Sequence, residues 1–134
     1  MTRQLISSGG PWEAAAGYSR AVRVDDRVEV AGTVATDPDG AIVAPGDAYE
    51  QTRYIFATIE RALVEAGATL ADVVRTRAFI TDIDQADGFT RAHGELFGDI
   101  RPAATLVAVA GLLGDGTVIE IEASAIIGSG AAGG

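Results

Sequence analysis

The chain has 134 residues, 48% of them apolar, and a net charge of −9 from ten basic and nineteen acidic side chains. That length holds one domain with a single core, and that charge argues against a nucleic-acid partner, since phosphate binding normally needs a basic footprint. All ten basic residues are Arg and there is no Cys, which excludes disulfides, thiolate catalysis, Cys-based metal sites and a Schiff-base lysine with the usual pyridoxal phosphate chemistry. His93 is the only histidine, so a multi-His metal site is excluded and no metal or cofactor is expected. No apolar run reaches transmembrane length, and the N-terminus lacks a basic region followed by an apolar one. The chain is therefore expected to be soluble, off the membrane and cytoplasmic.

In chain order, Gly10-Pro11-Trp12-Glu13 reads as a loop carrying the only Trp. There Trp12 either walls a pocket or pins the loop, and Glu13 is a solvated acid. Tyr18 to Val24 and Arg27 to Gly32 alternate as short strands joined by a tight turn at Asp25-Asp26. Thr36 to Gly40 forms a second turn before the apolar run Ala41 to Val43. A helix begins at Asp47 as N-cap; Thr52, Ile55, Phe56, Ile59, Leu63 and Ala66 recur at helical spacing, and Gly67 ends it. Val73 to Ile80 reads as a strand and Gln85 to Phe97 as a second helix, with Phe89, Ala92 and Leu96 toward the core and His93 in a surface or packing role. Ala104 to Ala110 and Val118 to Ile127 are two final strands, and residues 128–134 form a Gly/Ala tail expected to be disordered. The order predicts an α+β domain over residues 1–127, with both helices on one face of a mixed sheet.

The last strand separates Ile119, Ile121, Ala123, Ala125 and Ile127, which suit the helix side, from Val118, Glu120, Glu122 and Ser124 on the other. On Ala104 to Ala110 both faces are apolar, although an antiparallel strand with one face in water should alternate. The simplest explanation is a second subunit covering the other face.

Arg101-Pro102-Ala103-Ala104-Thr105-Leu106-Val107, then Ile119-Glu120-Ile121-Glu122-Ala123, resembles the RidA (YjgF) family, small trimeric proteins that hydrolyse reactive enamines and imines. Ala66 to Val74 and Thr81-Asp82 add to the likeness, which spans about residues 3 to 127. The resemblance implies a chorismate-mutase-like sheet of about six strands, trimerising through the face away from the helices, with a small-molecule cleft at each subunit interface. It also implies a pocket of four side chains. Its Tyr falls on Tyr18 and its Glu on Glu120. Its Ser falls on Ala31, before Gly32, and its substrate-binding Arg on Ala104, which makes this a divergent member. Glu120 would orient water and shuttle protons, or else pair with an Arg of a neighbouring subunit; Tyr18 would hydrogen-bond the substrate, or else simply pack. A replacement anion clamp would come from Arg101 or, second, Arg77, each with an ion-pair role as the alternative. The functional expectation is an enamine or imine deaminase-type hydrolase. The alternative is a non-catalytic metabolite-binding or structural trimer, and RNA cleavage is disfavoured by charge.

Overall fold

The computed structural model describes residues 2–130. The strands are β1 (Arg3–Ile6), β2 (Ala21–Val24), β3 (Arg27–Thr33), β4 (Val73–Ile80), β5 (Ala103–Ala108) and β6 (Ile119–Ile126); the helices are α1 (Pro11–Ala16), α2 (Ala48–Ala66) and α3 (Ala86–Phe97). The six strands form one mixed sheet in the order β1-β2-β3-β6-β4-β5, antiparallel except for the parallel β4–β5 pair that α3 connects. The expected α+β sheet with two long helices on one face is what forms.

Local chemistry explains the elements. Asp47 caps α2 by accepting from the Glu50 backbone N–H at 3.0 Å. Gly67, at φ +94°, closes its C-terminus in the left-handed conformation that favours glycine. The Arg23 guanidinium donates to the Ala66 carbonyl there at 2.7 Å, a cation on the negative end of the helix dipole. Ile55, Phe56, Ile59 and Leu63 of α2 are buried against Val28, Val30, Ile119, Ile121 and Ala125 of the sheet. Gln51, fully buried, ties the loops to α2: its amide donates to the Val43, Ala44 and Gly116 carbonyls, and its oxygen accepts from the Val118 N–H at 3.0 Å.

His93 takes the packing role. Its ring lies among Phe56, Phe89 and Phe97, and its Nε2 is 2.9 Å from the Thr76 hydroxyl of β4. Burial holds its pKa below the usual histidine value.

Four expectations are corrected. Residues 11–16 form a helix rather than a loop, because Pro11 suits a first helical position. Glu13 is buried rather than solvated. The strand predicted from Tyr18 begins at Ala21, because Gly17 and Tyr18 both donate to the Glu13 carbonyl and finish α1. The tail expected from residue 128 is held as far as Gly130: the Gly128 and Gly130 N–H groups donate to Asp72 Oδ1 at 3.1 and 3.0 Å, while residues 131–134 lie outside the described residues. β1 was not anticipated; its four residues carry too short a pattern to register.

Two predictions follow from these contacts. Asp72, whose other oxygen accepts from the Thr69 N–H, joins the entry of β4 to the chain after β6. Asp72→Ala should cost about 2 kcal/mol in urea unfolding, with proteolysis near residue 128 increasing; unchanged stability would contradict the anchoring role. For His93, the unfolded chain takes up a proton near pH 6.5 and the folded chain only at lower pH, so stability should fall as pH drops from 7.5 to 5.5. The His93→Gln variant should lose less over that interval. Parallel losses in the two proteins would rule the histidine out as the cause.

Candidate functional site

The sheet face away from α2 and α3 carries the polar residues. Across the strands, Phe79, Glu120 and Val107 are level, then Arg77, Glu122 and Thr105, then Arg75, Ser124 and Glu29. A groove of about 640 Å³ runs over this face beside α1, lined among others by Tyr18, Ala31, Glu29, Arg77 and Glu122. Arg77 shares its guanidinium with Glu122 at 3.5 Å, and the Ser124 hydroxyl donates to Glu29 at 2.5 Å.

At the edge of this groove the pairing of β3 with β6 is interrupted. Val30 is opposite Ala123 but Thr33 is opposite Ile121, so Ala31 and Gly32 bulge out of register. The bulge makes room for Glu120. A side chain on residue 32 would overlap the Glu120 carboxylate outright, so only glycine leaves that space open. Glu120 is half-buried, and no described group donates a hydrogen bond to it. Burial pushes its carboxyl above the usual carboxylate range; the nearby Arg20 charge moderates the rise and Glu122 reinforces it.

Arg20 is a site residue that sequence reasoning missed. Its Nη1 donates to the Gly32 carbonyl and the Thr33 hydroxyl, both at 3.0 Å, bracing the bulge. Its guanidinium lies 5.5 Å from the centre of the Tyr18 ring. No sequence pattern marks it, because residues 18–20 precede β2 and strand alternation does not place its side chain. Glu13 was also missed. Burial pushes its carboxyl up, but the Ser8 and Ser7 hydroxyls, the Ser8 N–H and the Arg20 charge outweigh that and hold it below the usual range.

The remaining expected residues divide. Gly32 lies against Glu120, while Tyr18, Ala31 and Arg77 line the adjoining groove. Trp12 does not join them: it is 72% exposed on α1 and does not line the groove. Ala104 is level with Thr76, which faces α3, so within one chain it lies on the opposite side of the sheet from Glu120. Arg101 is exposed just beyond α3 at φ +57°, at the far edge of the sheet. Neither reaches the Glu120 cleft of its own chain.

A six-stranded mixed sheet, two helices on its inner face and an acid-bearing cleft on its outer face define the class to which this chain belongs. The family profile described as Endoribonuclease L-PSP matches residues 10–127. The chain belongs to that family, the YjgF/RidA family. A Mycobacterium tuberculosis member of the family superposes with a TM-score of 0.85 at 44% identity, covering 94% of this chain and 100% of that one. An uncharacterised protein of Streptomyces coelicolor is 40% identical over 124 residues, 92% of each chain. The 3-aminoacrylate deaminase RutC of Acinetobacter baylyi is 33% identical over 125 residues, 93% of this chain and 98% of that protein.

The bulge geometry can be tested directly. In a carbon-detected NMR titration the Glu120 carboxyl should titrate above the ordinary value of 4.5. In Gly32→Ala the added methyl should push the carboxylate outward and bring its titration back toward that value. An unchanged Glu120 titration would show that the glycine does not set its position.

Proposed function

We propose that this chain is a homotrimeric hydrolase of small enamines or imines, with the cleft around Glu120 as its reaction site. The observation that carries this reading is a half-buried carboxyl without a protein donor, raised above the usual range near Arg20, whose guanidinium lies over the Tyr18 ring. Imine hydrolysis asks little else of a protein: a positioned water, a group that takes and returns a proton, and shelter from bulk solvent. Ionised Glu120 takes a proton from a water molecule as the water oxygen bonds to the imine carbon. The proton then returns to nitrogen, giving a carbinolamine; Glu120 passes the proton of the new hydroxyl to nitrogen as the carbon–nitrogen bond breaks, and a carbonyl compound and ammonia leave. Tyr18, which lines the groove and is partly exposed, supplies a hydrogen bond to the substrate.

The deaminase name of the Acinetobacter relative supports the reaction class. Trimer formation is supported by β5, an edge strand exposed on both faces, and by Val107 beside Phe79 on the outer face. A neighbouring copy would bring its own Arg101 and Ala104 toward the cleft. The chain's charge of −9 disfavours RNA as the substrate. Among the described residues no helix is long and apolar enough to cross a membrane. The alanines at positions 31 and 104 favour one competing reading, a trimer that holds a metabolite without converting it.

A dehydratase that releases 2-aminoacrylate, coupled to detection of the keto acid, separates the two readings. The chain should accelerate release. Glu120→Gln should lower kcat by roughly 100-fold or more while sedimentation still gives three times the 13.7 kDa chain mass. No acceleration by the wild type, or full activity in the variant, would exclude the catalytic reading. Because the base form of Glu120 is needed, kcat/KM should fall as pH drops, with a midpoint above the ordinary carboxylate value. An acid limb at or below 4.5 would assign the base to another group.

A further inference from the structure

Arg20 has more donors than the protein uses. Its Nη1 corner is committed to the Gly32 carbonyl and the Thr33 hydroxyl. Its Nε–H is buried without an acceptor, and no described residue accepts from Nη2. Nε and Nη2 form one edge of the guanidinium, the edge that offers two parallel N–H groups to two oxygens of a carboxylate. A permanently charged group with a buried, unpaired donor is costly unless an acceptor completes it. Glu120 and Glu13 both feel the Arg20 charge, yet neither is among the three ion pairs of the described residues, so the edge stays unpaired beside them.

Of the other basic residues near this face, Arg3 lines the groove but is solvent-exposed on the edge strand β1, and the rest are engaged or out of reach. Arg77 pairs with Glu122 and Arg75 donates to Thr105 at 2.7 Å. Arg23 is turned to the other face, on the end of α2. Arg101 sits at the far edge of the sheet and Ala104 has no donor. The chain has no Lys.

We infer that Arg20 is the anion-recognising residue of the cleft, binding the carboxylate of a small 2-oxo or 2-imino acid through its Nε–Nη2 edge. This deepens the hydrolase reading and rests on it for the reacting group. The carboxylate seats on Arg20 against the Tyr18 ring, and the carbon next to it faces Glu120. The bulge then has two tasks, opening space for the acid and fixing one corner of the guanidinium so that its other edge faces the ligand. Arg20 does not itself line the groove, whereas Tyr18 does, with its ring over the guanidinium, so Tyr18 turns aside for a ligand to reach that edge.

The test measures binding rather than turnover, using the full-length chain and NMR titration. The probes are 2-oxobutyrate and its uncharged amide. Wild type should bind 2-oxobutyrate saturably and the amide roughly 10- to 100-fold more weakly, the range for losing charge-assisted hydrogen bonds. Arg20→Gln should lose a similar factor for the acid and little for the amide, and Arg61→Gln, on the surface of α2, should match wild type. If Arg20→Gln does not fold, the comparison of acid with amide on wild type still decides whether a charge is recognised, and Arg20→Lys, retaining charge without the fork, should fall between. The inference is overturned if wild type does not bind the acid, if acid and amide bind alike, or if Arg20→Gln binds the acid as wild type does. It is also overturned if Arg101→Gln removes binding while Arg20→Gln does not. Failure of the hydrolase reading looks different: the acid binds through Arg20, yet the dehydratase-coupled assay shows no acceleration.

Discussion

The site depends on one local irregularity, the bulge at Ala31-Gly32 where β3 loses register with β6. A regular ladder would hold Glu120 against the side chain of its cross-strand neighbour. The bulge, with glycine at its second position, instead lets the carboxylate lie against bare backbone, half out of water and without a donor. The same bulge presents a carbonyl and a hydroxyl to Arg20, so acid and guanidinium are positioned by one backbone feature. Bulges bend strands and re-aim side chains; here the distortion arranges the two charged groups of the cleft.

The rest of the fold keeps that feature rigid. β6 runs through the middle of the sheet, buried under α2 on one side and carrying Glu120 and Glu122 on the other. Its start is pinned by Gln51 through the Val118 N–H, and the chain beyond its end by Asp72 through the N–H groups of Gly128 and Gly130. Both pins are buried polar side chains with their hydrogen bonds made, which resists sliding of the strand. α3 is fastened over β4 by the His93–Thr76 contact inside an aromatic cluster.

The sequence disclosed the large periodic elements and little of the local geometry. α2 announced itself through Asp47, a regular apolar spacing and Gly67. The faces of β6 followed from the alternation of isoleucines and glutamates. β1 and α1 are too short for periodicity, and Glu13 looked like a surface acid because its partners, the serines at positions 7 and 8, are placed only by the fold. Family likeness located Tyr18, Gly32 and Glu120, but not why residue 32 is glycine. Arg20 was hidden because its role lies in a free edge, visible only once its other contacts are known. Ala104 is separated from Glu120 by the sheet itself and Arg101 lies at its far edge, which no motif spacing reveals.

The most direct measurement is a crystal structure of the protein grown with 2-oxobutyrate. The account predicts the carboxylate on the Nε–Nη2 edge of Arg20, the neighbouring carbonyl carbon facing Glu120, and Gly32 against the Glu120 carboxylate. A ligand seated elsewhere, or Glu120 folded onto Arg20 in place of the ligand, would contradict it.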